Sequence, residues 1–350
     1  MFNAHLHLDR AGTYEATVEL MKGSAVRDAA ALTIPGKHAI IPMIHDSPLY
    51  EPNNLKARVS RYLDSFIHYG TTRADTVVDT TLDRVGVSAL EAFQTLKSDY
   101  RGRLDLQIGA YSPLGFRDDD PARWKLLLQG AELADFIGLL PERDDKEMYP
   151  DHIGFKESCR RGISLALEQG KKIHIHVDQA NHVSEHATED VIEVMREIGA
   201  DIPAHEPDVW LIHVISPSTY KEDRFQRLVH DLAELNVGII TCPSAAISMR
   251  QYRGLSSPTF NSIARVLEFL AAGVQVRIGS DNICDITSPM GTTDLLDEVF
   301  VLSNAIRFYD TEVLSKMAAG VALDLKDIER VKEHISEDQL MRQEVESCVA

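Results

Sequence analysis

Apolar positions along the chain repeat with two periods that take turns. Residues 2–8 read as a short strand whose side chains alternate between faces, so His5 and His7 point to one side. A polar, Gly-containing stretch follows to about residue 25, then Ala-rich and Pro-containing loops over about 34–54. Over 54–69 the residues Leu55, Val59, Leu63 and Phe66–Ile67 recur at helical spacing, Gly70 ends the run, and the β-branched segment 71–80 reads as a strand. The unit repeats. Helices at 87–98, 121–131, 153–169, 188–198, 221–235 and 262–271 are predicted to precede strands at 104–111, 135–140, 172–177, 209–215, 237–242 and 274–279 respectively.

Strands that alternate with helices build a parallel sheet, and eight such units close into an α/β (β/α)8 TIM barrel. An open doubly wound sheet would carry a Gly-rich phosphate loop after its first strand, and none is present. Residues 295–350 add two or three charged helices, the last a solvated or subunit-packing tail. No Gly/Ser linker divides the chain, so residues 1–350 are expected to form a single unit, with a barrel core of about 1–300 and a helical tail of about 301–350.

Composition narrows the function. A 350-residue chain with 44% hydrophobic residues can bury a large core. A formal charge of −18 argues against nucleic acid or an anionic membrane as partner. Cys159, Cys242, Cys284 and Cys348 are far apart, without zinc-site spacing, and read as reduced thiols. No cleavable leader and no apolar run of about 18 residues is seen, so a soluble cytoplasmic protein is expected.

Barrel enzymes place their chemistry at the C-terminal ends of strands. Strand 1 ends in His5-Leu-His7. Strand 5 places His176 at the rim and His174 one layer deeper, strand 6 ends near His213, and Asp281 lies just past strand 8. Imidazole and carboxylate suit a divalent ion such as Zn²⁺ or Fe²⁺, and three His with one Asp form a catalytic rather than a structural shell. Taken singly, His174 and His213 also read as core histidines and Asp281 as a turn cap; together, their placement on strands 1, 5, 6 and 8 points to one metal site.

The chain resembles the amidohydrolase superfamily, in particular its cytosine-deaminase-like branch, which includes the isopropylammelide hydrolases. The residues that carry the resemblance are His5-Leu-His-Leu-Asp-Arg10, Asn54-Leu-Lys-Ala-Arg58, Tyr69-Gly-Thr-Thr-Arg73, Asp105-Leu-Gln-Ile-Gly-Ala-Tyr111, His176-Val-Asp-Gln179, Thr241-Cys-Pro243 and Gly279-Ser-Asp-Asn282. The resemblance implies that His5, His7, His176 and Asp281 bind one divalent metal, Zn or Fe. It implies that His213 polarises the bound water or substrate oxygen and that Asp281 takes the proton of the attacking water. A C–N bond of a small nitrogenous substrate, heterocyclic or a cyclic amide, would be hydrolysed.

Three departures qualify it. The deaminases carry a proton-shuttling Glu three residues after the strand-5 His, where this chain has Gln179, which orients substrate or water but cannot serve as a general acid. Imidazolonepropionases resemble this chain in carrying Gln there. Pro113 stands where cytosine deaminases carry a substrate-binding Gln, so cytosine is not the expected substrate. Tyr111, Glu142, Arg143 and Asn282 are the candidate substrate-binding residues, with Asp144 beside them. Finally, only four residues precede His5, so the accessory β-sandwich usual in the family is expected to be absent or truncated. Barrel surface bared in that way favours a homo-oligomer. A dihydroorotase-type binuclear site would need a Lys at the end of strand 4; the nearest, Lys146, lies too far beyond it. The alternative function is an impaired barrel that keeps its metal and binds a ligand or partner.

Overall fold

The computed structural model describes residues 1–21, 34–199, 206–248 and 263–349. Its sheet has eight parallel strands in sequential order: β1 (Phe2–Leu6), β2 (Arg73–Asp79), β3 (Asp105–Ser112), β4 (Phe136–Leu139), β5 (Ile173–Val177), β6 (Val209–His213), β7 (Gly238–Thr241) and β8 (Val276–Ile278). The ring closes where β1 meets the residues after β8. Leu6 bridges Asp281, the Asp281 N–H donates to His5 O at 2.9 Å, and the His7 N–H donates to Asp281 O at 3.0 Å. The barrel seam is thus made of the residues singled out for metal chemistry, and the expected (β/α)8 fold is found.

Helices cover the outside: α1 (Tyr14–Leu20), α2 (Ile34–His38), α3 (Ile41–His45), α4 (Pro52–His68), α5 (Ser88–Asp99), α6 (Ala122–Leu133), α7 (Phe155–Gln169), α8 (Ala187–Ile198), α9 (Glu222–Glu234), α10 (Pro243–Ser248), α11 (Val266–Ala271), α12 (Leu295–Ile306), α13 (Thr311–Ala319) and α14 (Leu325–Val349). In α4, Pro52 occupies the first turn, where its missing N–H costs nothing, and Leu55, Val59, Leu63 and Phe66 form the buried stripe. Gly170 ends α7 in the left-handed conformation that glycine adopts without penalty.

Two expectations change. Residues 34–54, read as loops, hold α2, α3, a 3-10 turn (Pro48–Tyr50) and the start of α4, because five-residue helices are too short for periodicity to register. Strand 1 ends at Leu6 rather than Leu8: Asn3 pairs with Ala74 but Leu6 with Thr76, so one extra residue bulges into β1. Ser262, the expected start of a helix, and the polar stretch after residue 21 lie outside the described residues, as does the Cys348 side chain. Cys159, Cys242 and Cys284 are free thiols.

Aromatic rings fill the barrel interior where the facing strand carries glycine. A Cβ at Gly238 would lie 2.4 Å from Trp210, and one at Gly109 would lie 2.4 Å from Phe136. Below them Arg277 stacks 4.0 Å over Trp210 and pairs with Glu206, while Arg73 Nε pairs with Asp75 at 2.9 Å. Rings and ion pairs plug the N-terminal end of the barrel, so the C-terminal mouth is the end at which small molecules can enter.

Candidate active site

His5 sits inside β1 and His7 one step past its end, His176 is on β5, and Asp281 follows β8. All four are buried, and one ligand atom from each lies within 4.8 Å of the others. His176 Nε2 is 3.1 Å from His5 Nε2 and 3.3 Å from His7 Nε2, and His7 Nε2 is 3.2 Å from Asp281 Oδ1. The backbone is shaped for this convergence. Asp281 has φ 60° and His213 φ 79°, and the β-branched Val214 has φ 49°, a region that costs such residues energy and clusters at functional sites.

The donor set fits a divalent cation. Burial, reinforced by the neighbouring imidazoles, drives the His5 and His176 pKa values well down, so both rings are neutral, as ligands must be. His176 Nδ1 lies 3.0 Å from the Leu139 carbonyl; its N–H donates there and turns the Nε2 lone pair into the cluster. His5 Nδ1 is 3.2 Å from His174 Nδ1, so the deeper histidine orients the first ligand, while its ring packs 4.4 Å from Phe136. Burial raises the Asp281 pKa, but the close contact with His7 and the surrounding His213 and His176 imidazoles outweigh it and hold the carboxyl well below the usual range. Asp281 Oδ1 makes no hydrogen bond among the described residues. Facing lone pairs and an anionic oxygen without a donor are what a cation would unite. His213 stands beside this cluster, Nε2 3.9 Å from Asp281 Oδ2, and burial keeps it neutral.

Around the cluster is a pocket lined in part by Tyr111, Gln179, His213 and Asn282. The Tyr111 ring meets His7 edge-on at 5.3 Å. Glu142 and Arg143 stand behind this wall. Gln179 Nε2 donates to Glu142 Oε2 at 2.8 Å, and Arg143 stacks 4.4 Å over Tyr149 while donating to its hydroxyl at 2.6 Å. Burial and the nearby carboxylates Glu185 and Asp178 push the Glu142 pKa well up. Asp144 is further removed and accepts from the Phe116 N–H at 2.6 Å. Asp178, between His176 and Gln179, caps α8: its oxygens accept from Ala187 N at 2.9 Å and Thr188 N at 3.0 Å.

Sequence reasoning did not assign Arg10, Lys37, His38, Ser248 or Thr287 to the pocket that they line. Arg10 had a signal, a charge directly after His5-Leu-His-Leu-Asp. Lys37 had none, because its short helix α2 reaches the mouth only through tertiary packing. Burial, with the charges of Arg10 and Arg143, pushes His38 down to about 3.

Fold and site together define a (β/α)8 barrel with a three-histidine, one-aspartate donor set at its C-terminal mouth. No family model matches the chain. A protein of Haemophilus influenzae described as uncharacterized is 26% identical over 271 residues, 77% of this chain and 89% of that protein. Among solved structures, the chain is similar to the 5-methylcytosine deaminase of Klebsiella pneumoniae liganded with 5-fluorocytosine, at 21% identity and TM-score 0.76 over 91% of this chain and 72% of that one. It is similar to the N-isopropylammelide isopropylaminohydrolase of Burkholderia multivorans, at 20% identity and TM-score 0.67 over 95% and 74% of the two chains. An atrazine chlorohydrolase of Arthrobacter aurescens, complexed with zinc, matches at 15% identity and TM-score 0.55 over 95% and 68%. The expected likeness in fold to a deaminase of a cytosine base and to an isopropylammelide hydrolase is met.

Proposed function

We propose that the protein is a metal-dependent hydrolase that splits a C–N bond of a small nitrogenous substrate, heterocyclic or a cyclic amide, with loss of ammonia, an amine or a ring nitrogen. The observation that carries this reading is the convergence of His5, His7, His176 and Asp281 within 4.8 Å at the barrel mouth. These four would hold one Zn²⁺ or Fe²⁺. Such a cation, when bound, lowers the pKa of water toward about 7 and polarises a carbonyl or amidine carbon.

The chain's own residues supply the rest. Asp281, kept anionic, accepts the proton that water loses as its oxygen bonds to the sp² carbon; that proton reaches the leaving nitrogen as the C–N bond breaks. His213, neutral and 3.9 Å from Asp281, orients the substrate oxygen. Gln179 spends an N–H on Glu142 and offers Oε1 to the pocket, which suits it to accept from a substrate N–H. Tyr111 and Asn282 bound the substrate, and Glu142 and Arg143 set the wall behind Gln179.

We further place the protein in the cytoplasm as a homo-oligomer, one hydrolase unit per chain. Free thiols at Cys159, Cys242 and Cys284 favour a reducing compartment. Exposed Phe300 and Leu296, four residues apart on α12, favour self-association. No helix among the described residues is long and apolar enough to cross a membrane.

Elemental analysis of the purified protein, combined with hydrolysis assays on heterocyclic amines and cyclic amides, tests the reading. About one metal ion per chain is expected, and His5→Ala should lose metal and activity together. Metal near zero, or unchanged activity in His5→Ala, would refute it. Gln179 in place of a titratable acid favours a second reading, a barrel that holds metal and ligand without turnover; stoichiometric metal with no substrate cleaved across the panel would select it.

A further inference from the structure

Arg10 and Lys37 line the same pocket as Asp281, and Asp281 is the only carboxylate among its described lining residues. The two cations are held differently. Arg10 is 5% exposed; its Nε donates to Asp79 Oδ2 at 2.9 Å and its Nη2 to Asp79 Oδ1 at 2.5 Å. His45 Nε2 reaches the same Asp79 oxygen at 3.0 Å, and His45 Nδ1 reaches Asp83 Oδ2 at 2.6 Å. Charge therefore alternates along Arg10, Asp79, His45 and Asp83, and the positive end of the series faces the pocket. The buried Asp9 and Asp285 carboxyls also act on Arg10 through space, and its Nη1 donates to nothing among the described residues.

Lys37 is the more informative of the two. It is 8% exposed, and its Nζ donates to the Thr287 carbonyl at 3.2 Å. It forms no ion pair among the described residues. Asp285 and Asp281 act on this ammonium only through space, without a contact ion pair, so its remaining N–H groups are open to a ligand anion at hydrogen-bonding distance. Both cations border the space next to the candidate metal ligands.

We propose that Arg10 and Lys37 form an anion subsite and that the substrate of this pocket carries a carboxylate beside the nitrogenous group that is cleaved. This inference rests on the hydrolase reading for the identity of the cleaved bond, but not for the binding preference. A carboxylate oxygen would accept from Arg10 Nη1 and from Lys37 Nζ, charge-assisted hydrogen bonds that a neutral analogue cannot form.

The test uses zinc-loaded full-length protein and matched probes that differ by the acid: hydantoin with hydantoin-5-acetate, and uracil with orotate, measured by calorimetric titration. At least one acid is expected to bind roughly 10-fold or more tighter than its neutral partner. Lys37→Met should bring that ratio close to one, and Lys37→Arg, which keeps the charge, should retain most of it. Because the readout is a ratio, a general loss of folded protein does not imitate the effect. Acids that bind no better than neutral partners, acids that fail to bind at millimolar concentration, or a ratio unchanged in Lys37→Met would each overturn the proposal. Its failure is separable from that of the hydrolase reading. Cleavage of neutral amides without any acid preference removes the subsite alone. A Lys37-dependent acid preference in a protein that cleaves no C–N bond removes the hydrolase and leaves the subsite.

Discussion

Replacing His45 by Gln tests the alternating charge series through the pH dependence of stability. Burial lowers the His45 pKa, but hydrogen bonds to Asp79 and Asp83 more than reverse this and raise it from 6.5 to about 9. At roughly 1.4 kcal/mol per pH unit, that rise corresponds to about 3 kcal/mol of folding free energy. The sign follows from proton counting. Below pH 6.5 the ring is protonated in both folded and unfolded chains, and the contribution is full. As pH rises from there to about 9, only the folded chain keeps the proton, and the contribution is lost. Gln cannot take up a proton, so the wild-type advantage over His45→Gln should shrink by about 3 kcal/mol between about pH 6 and about pH 9. Urea denaturation of both proteins, followed by circular dichroism at several pH values, measures the difference; groups that titrate alike in the two proteins cancel. A difference that stays flat, or grows with pH, would show that His45 is neutral in the fold and that the Arg10–Asp79–His45–Asp83 series is wrongly charged.

Other consequences are equally direct. His176→Ala should lose bound metal while keeping the far-ultraviolet circular dichroism of the wild type, because removing one ligand empties the site without touching the helices; metal content measured on the folded variant decides this. Glu142→Gln, which keeps an amide oxygen as acceptor for Gln179, should change kcat/KM by no more than about threefold, whereas Glu142→Ala removes that acceptor and should cost about 1 kcal/mol, read as a roughly fivefold rise in KM. Gly279→Ala should cost about 1–3 kcal/mol and weaken metal binding together, because its Cβ would fall 2.9 Å from both the N and the O of His5. Backbone cannot rotate away as a side chain can, so the β1–β8 seam must open; chelator competition and thermal denaturation report the two losses.

Legibility differed between the His/Asp cluster and the pocket around it. His5, His7, His176, His213 and Asp281 could be read because each stands at or just past a strand end, and strand ends are where barrel side chains converge. His174 was legible as a deep residue but not as the partner of His5, since a pairing between β1 and β5 needs the closed ring to bring them together. Glu142 was proposed to touch substrate. The structure puts it at the back of Gln179, one layer out, because the 3-10 turn Pro141–Asp144 directs it toward Asp178 and Glu185.

The periods of two and 3.6 along the chain were sufficient by themselves to place the eight strands and the longer helices between them, though not the five-residue helices α2 and α3. Facing in a strand is a local property, written one residue at a time, and Gly170 ends α7 by the same local logic. Tertiary structure alone decided what surrounds the His/Asp cluster. The positive φ of His213, Val214 and Asp281 is imposed on residues that do not choose it, by the seam hydrogen bonds between His5, His7 and Asp281 and by the turn after β6. Lys37 reaches the mouth from a five-residue helix with no periodic signal, and the Asp79 shared by Arg10 and His45 comes from β2. Charge placement across three distant segments is a property of the closed barrel, and no single stretch of sequence contains it.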